Sequence, residues 1–349
     1  MESREYKKIL LVRTDRLGDV ILTTPAIKAI RNFYPDSHIA MLVRPYTEGV
    51  VKGNSYLDEV IVYDKYGQHK SIIGSIRFAL ELKRKAFDMA IIFHPTNRMH
   101  IIAYLTRIPR RIGYHQNFSF LLTDSIENTK HEGKKHERDY NFDILEVLGI
   151  RAKEKELYLP LNNEAKEYVT NLLSEYGITG NDRIVIIHPG ASCASKIWPH
   201  ERFAKLADKL IDVYGVKIIA VSGKDKRDLF CIDSLEKFMQ KKGIFLRGSL
   251  DVQQLAALLK KALLFISNDS GPVHVSVAVK TPVLALFGRN QPGLGPTRWG
   301  PLGPKDIVIH KDVGCGGICL AHNCKKSFEC LRSISSDEVL SAIKEMGIL

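Results

Sequence analysis

Short apolar runs alternate with amphipathic stretches along nearly the whole chain. In the first half, residues 9–12, 39–43, 60–63 and 89–93 are four or five residues long and rich in β-branched side chains, which reads as buried strand. Between them, residues 26–33 and 71–85 place apolar side chains at helical spacing. The second half repeats the rhythm with strands at 184–187, 216–221, 263–267 and 283–287, and helices near 200–214, 225–242, 250–262 and 272–279. Strand-helix alternation of this kind is the βαβ signature of parallel sheets, so the expected class is α/β with two parallel-sheet lobes. A polar helix at 162–176 and a turn-rich stretch at 177–183 separate the halves. The expected organisation is an N-terminal lobe at 1–161, a linker helix and turn at 162–182, a C-terminal lobe at 183–330 and a terminal helix within 331–349. Open sheets bind ligands at the carboxyl ends of their strands, so two facing lobes predict a central cleft.

Composition adds a constraint on partners. The chain has 349 residues, 45% hydrophobic and 26% charged, which is ordinary for a globular protein. Its net charge of +12 favours an anionic partner: nucleic acid, a membrane surface or a phosphorylated substrate. No basic motif with interleaved aromatics and no zinc-finger spacing accompanies the charge, so nucleic acid is not expected. Residues 1–8 are polar and no apolar run approaches the length of a membrane span, so a cytoplasmic location is expected.

Candidate chemistry sits where strands give way to helices. After the run at 262–266 comes Ser267-Asn268-Asp269-Ser270-Gly271-Pro272-Val273-His274, with Pro272 suited to the first turn of a helix. Such a corner gathers backbone N–H groups and the positive end of a helix dipole, which suits a phosphate. Side-chain capping by Asp269 and Ser270 is the plainer alternative. A second corner follows residues 184–187, where His188-Pro189-Gly190-Ala191-Ser192 leads to Lys196-Ile197-Trp198-Pro199. Small residues there permit close ligand approach, and Lys196 brings a positive charge, although a solvated lysine is the commoner case. Two such corners on one scaffold favour a shared diphosphate site.

The first lobe has its own corner. Residues 9–12 lead into Arg13-Thr14-Asp15-Arg16-Leu17-Gly18-Asp19, with Thr24-Pro25 as N-cap and first residue of the next helix. A sharp bend at Gly18 would aim Asp19 into the cleft as a general base. A turn role for Asp19 is the alternative, and Asp15 is a rival acid whose neighbours Arg13 and Arg16 favour ion pairing. Neither a dinucleotide Gly-x-Gly-x-x-Gly nor a Walker lysine loop is present.

Together these three motifs resemble glycosyltransferase family 9, the lipopolysaccharide heptosyltransferases, in family order and over most of the chain. The resemblance implies the GT-B fold, two Rossmann-like lobes around a cleft, and inverting transfer of a heptose from an ADP-sugar to the lipopolysaccharide inner core. It implies Asp19 as catalytic base, Lys196 as the residue on the nucleotide diphosphate, and Asp269, Ser270 and Gly271 as the phosphate corner. Ser192 belongs to the same donor loop. Ser222 and Gly223 fall where the family places the nucleoside, with Asp225 on the ribose or in a solvated turn. His274 contacts ligand or packs in the helix. Arg13, Thr14 and Arg16 are the expected acceptor contacts, although many members carry small or apolar residues at 14–16. No cofactor or metal is required by this scheme, because Lys196 and the N–H groups of Ser270 and Gly271 meet the leaving diphosphate.

Three further readings complete the picture. Cys315, Cys319, Cys324 and Cys330 are spaced close to, but not at, the intervals of zinc sites, so no metal is assigned while a structural one stays open. Arg77, Lys83, Arg84, Lys85, Arg98, Arg107, Arg110 and Arg111 make the first lobe basic, which suits an acidic, lipid-linked oligosaccharide acceptor and peripheral contact with the inner face of the cytoplasmic membrane. The alternatives are another GT-B nucleotide-sugar enzyme, such as an epimerase, and an inactive nucleotide-sugar-binding scaffold of envelope assembly.

Overall fold

A computed structural model describes residues 6–315 and 319–349. The chain divides into two compact units: residues 1–130 with 137–160, and residues 131–136 with 161–349. Each unit carries one six-stranded sheet.

In the first unit, β1 (Lys8–Val12), β2 (His38–Val43), β3 (Glu59–Val62), β4 (Met89–Ile92), β5 (Arg110–Tyr114) and β6 (Asp124–Ile126) lie in the order β3-β2-β1-β4-β5-β6, all parallel. Ile9, Leu10, Leu11 and Val12 are all buried, as a central parallel strand covered on both faces requires. Helix Ile72–Arg84 starts at Ser71, whose side chain accepts from the Gly74 N–H at 2.9 Å. Phe78, Ala79 and Leu82 pack from it into the core with Tyr63, Phe87 and Ile92.

The second unit repeats the design with β7 (Ile184–His188), β8 (Lys217–Ser222), β9 (Ile244–Arg247), β10 (Leu264–Asn268), β11 (Val283–Phe287) and β12 (Ile307–His310), ordered β12-β11-β10-β7-β8-β9 and again parallel. Trp198 is fully buried and donates from Nε1 to the Ile334 carbonyl at 3.0 Å. It tethers the C-terminal segment to this core, where Val339 and Ile343 of helix Ser336–Met346 are also buried. Residues 162–182, expected as a connector, include helix Asn163–Glu175, which packs on helix Val252–Lys261 of this unit. The Asn162 side chain caps it through the Ala165 N–H at 2.7 Å.

Both sheets reverse their strand order beside the first strand, between β1 and β4 and between β10 and β7. Ligands of doubly wound sheets gather at such switch points. Among the described residues, no helix is long and apolar enough to cross a membrane.

Candidate active site

In the first unit, the segment after β1 turns inward. Arg13 is 1% exposed, which no arginine tolerates without partners. Its Nε donates to Asp15 Oδ1 at 2.9 Å, its Nη1 to Asn141 Oδ1 at 2.9 Å, and its Nη2 to Asp19 Oδ1 at 2.6 Å and Glu137 Oε1 at 3.0 Å. Lys130 Nζ also donates to Glu137, at 2.7 Å. Burial works to lower the Arg13 pKa, but Asp15, Asp19 and Glu137 outweigh it and hold the guanidinium charged.

Gly18 does not make a sharp bend. It lies in helix Leu17–Ile21 with Asp19, and the helical turn itself directs Asp19 toward Arg13. The next helix, Thr24–Phe33, has Thr23 rather than Thr24 at its N-cap, with Pro25 inside the first turn. Asp19 is pushed up to about 6, first by burial and then by the like charge of Asp15, with Arg13 pulling the other way. A carboxylate tuned to that range is ionised at neutral pH yet basic enough to take a hydroxyl proton in a transition state. His94, just past β4, lies 3.3 Å from Asp15 Oδ2. Burial and then the Arg13 charge push it down to about 4, so its ring is neutral. Of the expected acceptor contacts, Arg13 and Thr14 are buried and Arg16 is exposed.

The second unit brings its two corners together because β7 and β10 are neighbours in register, with His188 opposite Ser267. Asn268 fastens one loop to the other: its Oδ1 accepts from the Trp198 N–H at 3.0 Å and its Nδ2 donates to the Pro189 carbonyl at 2.7 Å. Lys196 Nζ reaches Asp269 Oδ2 at 2.8 Å, and Arg289 Nη2 reaches the same oxygen at 3.1 Å. Lys196, Asp269 and Arg289 are each less than a tenth exposed. One carboxylate thus holds two cations, leaving one net positive charge.

Helix Gly271–Ala278 begins beside this triad, and Ser270 at its N-cap makes no side-chain capping bond. Ser270 Oγ is instead within 2.9 Å of Ser267 Oγ and 3.3 Å of His188 Nδ1. The plainer reading, a side-chain cap, is therefore not what Ser270 does, and the helix end keeps its attraction for an anion. His274 lies buried one turn in, with its ring 6.4 Å from that of His136.

The remaining donor candidates line the neighbouring edge. Asp225 caps helix Lys226–Phe238 by accepting from the N–H groups of Arg227 and Asp228. Ser222 Oγ accepts from the Gly248 N–H at 3.2 Å, and Gly223 donates to Asp228 Oδ2 at 3.1 Å. A Cβ on Gly190 would stand 2.3 Å from Asp228 Oδ1, so any larger residue there would have to displace the Asp228 carboxylate. Asp228 also stands 3.5 Å from His188 Nε2. Burial acts to raise its pKa, but the His188 contact and the Gly223 N–H lower it overall. The exposed Ser192 accepts from Arg227 through its carbonyl.

Sequence reasoning missed Arg289 and Asp228, and it placed His188 in the donor corner without assigning it a role. Arg289 lies two residues past β11, the strand beside β10, so its place at the same sheet edge was the available signal. Cys315, Cys319, Cys324 and Cys330 are free thiols that line one cavity of about 210 Å3. Among the described residues, no three His, Cys, Asp or Glu side chains stand at metal-holding spacing.

The family model of glycosyltransferase family 9 (heptosyltransferase) matches residues 75–327. A lipopolysaccharide heptosyltransferase 3 from Escherichia coli (strain K12) is 28% identical over 287 residues, covering 78% of this chain and 79% of that protein. A glycosyl transferase family 9 structure from Veillonella parvula superposes with a TM-score of 0.87 at 29% identity, covering 99% of this chain and 98% of the other. The E. coli heptosyltransferase WaaC, solved with ADP, has a TM-score of 0.73 at 18% identity, with 97% and 99% covered. The shared architecture is GT-B.

Proposed function

The chain belongs to glycosyltransferase family 9 and is a glycosyltransferase, and from that premise we propose that it moves a heptose from an ADP-sugar to an inner-core lipopolysaccharide acceptor. One observation carries the donor half of this reading: Lys196 and Arg289 share Asp269 beside the uncapped start of helix Gly271–Ala278. Cations and N–H groups so arranged suit a diphosphate, and more so a departing one. Similarity to a heptosyltransferase solved with ADP supports an adenine nucleotide as the carrier.

In this mechanism an acceptor hydroxyl attacks the anomeric carbon, its proton passes to Asp19, and the bond from that carbon to the diphosphate breaks with inversion. ADP leaves against Lys196, Arg289 and the helix N–H groups. No metal is needed, because those groups supply the positive potential. Asp269 is better placed to orient the two cations than to touch phosphate, since a carboxylate repels it. A lipid-linked acceptor implies work at the inner face of the cytoplasmic membrane.

The test is ADP release from ADP-heptose with and without a Kdo-lipid A acceptor. Acceptor-dependent release is the expected result. Acceptor-independent conversion of the sugar would make the enzyme an epimerase, and binding without turnover would make it a scaffold.

A further inference from the structure

Helix Ile72–Arg84 has two apolar faces, and only one is used inside the first unit. Phe78, Ala79 and Leu82 enter the core, whereas Ile72, Ile73, Ile76 and Leu80 are 80%, 73%, 44% and 54% exposed. Residues 72, 76 and 80 follow one another at four-residue intervals, so they form a continuous outward stripe. Helix Asn97–Leu105 packs beside it and exposes Ile101, Tyr104 and Leu105. Arg98 Nη2 reaches the Lys70 carbonyl at 3.5 Å, which fixes the start of one helix near the start of the other. The turn Ser119–Leu121 packs on the second helix, and there Phe120 is 78% exposed with its ring 5.7 Å from that of Phe118. An exposed apolar surface shared by three elements marks an interaction site rather than chance.

The charge around it selects the partner. Residues 70–120 contain nine Lys and Arg against two acids, Glu81 and Asp88. On the helix, Arg77 and Arg84 fall along one border of the stripe and Lys83 within it. Among the described residues, no carboxylate pairs with Arg77, Lys83, Arg84, Arg98 or Arg107. A greasy stripe edged with uncompensated cations matches a surface of hydrocarbon beneath phosphate, which is an anionic bilayer interface.

We propose that this face docks the protein on anionic membranes, with Ile72, Ile73, Ile76, Leu80 and Phe120 entering the headgroup-acyl boundary and Arg77, Lys83 and Arg84 meeting lipid phosphates. Docking by this face needs neither donor nor acceptor, so vesicles free of lipopolysaccharide test it separately from the transfer reaction. The full chain is sedimented with vesicles of phosphatidylcholine alone and of phosphatidylcholine mixed with phosphatidylglycerol, at low and high salt. Binding is expected to the mixed vesicles, weakening with salt. The variant Ile73→Ser/Ile76→Ser/Leu80→Ser should bind about tenfold less or weaker still, and Arg77→Glu/Arg84→Glu should lose the preference for anionic lipid. Because the replaced side chains are exposed, melting temperatures should match the wild type, and ADP affinity should not change. Failure of the wild type to bind mixed vesicles, or unchanged binding by the serine variant, overturns the proposal. So does a wild-type dimer in sedimentation equilibrium that the serine changes dissolve without any vesicle binding, since the face would then belong to a second copy.

Discussion

Asp19, the proposed base, is tuned at a cost to the fold. Its carboxyl is raised from 3.8 to about 6, so between those pH values the folded chain holds its proton more tightly than the unfolded chain. The stability this confers is present at low pH and lost as pH rises through 6, after which the buried charge opposes folding. Asp19→Asn is therefore expected to stabilise the protein at pH 7.5 by on the order of 1–2 kcal/mol, a gain that shrinks toward pH 4 in melting curves. The same substitution should lower turnover by roughly two orders of magnitude while ADP affinity stays near wild type. In the unaltered enzyme, the acid limb of kcat/KM should fall near pH 6. Near-wild-type turnover in Asp19→Asn would shift the base to Asp15. Across the other site, Lys196→Ala and Arg289→Ala should each weaken ADP binding measured by calorimetry and lower kcat by on the order of a hundredfold. An Arg289→Ala enzyme with normal ADP affinity would remove that residue from the donor site.

At the scale of elements, strand ends do most of the positioning. The carboxyl edge of β7, β10 and β11 delivers Lys196, Asp269 and Arg289 to one point, and Asn268 holds the first two loops in step. Asn268→Ala would leave a buried N–H and a buried carbonyl without their partner, a loss of about 2–4 kcal/mol. Denaturant melts should show it, and ADP affinity should fall with it. The corners were legible because central strands are short, fully buried apolar runs that end abruptly in Gly, Pro and Ser. The margins were not. β5 opens with Arg110 and Arg111, β6 is only three residues long, and β9 and β12 offer just three consecutive apolar residues each, too few to read as a buried strand. Arg13 was equally opaque: nothing in its local sequence announces that Glu137 and Asn141, more than 120 residues away, bury and satisfy it.

For the molecule as a whole, the two units have separate cores and separate sheets, which has a calorimetric consequence. Each unit is expected to unfold with its own midpoint, and a ligand to raise only the midpoint of the unit that binds it. With the proposed diphosphate contacts all in residues 161–349, ADP at a hundred times its dissociation constant should stabilise that unit by about 2.7 kcal/mol. Scanning calorimetry with and without ADP is expected to move one transition and leave the other in place. Movement of both by the same amount would show that the units melt as one.

The shared carboxylate of Asp269 bears on a step after the chemistry. In the proposed donor site, two free cations would hold ADP more tightly than this triad does, because one carboxylate oxygen touching both lowers the net charge that the product meets. On the proposed mechanism Asp269 would thereby set a dwell time. In stopped-flow displacement, Asp269→Asn should release ADP several-fold more slowly than the wild type, so that a substitution which strengthens product binding slows the enzyme.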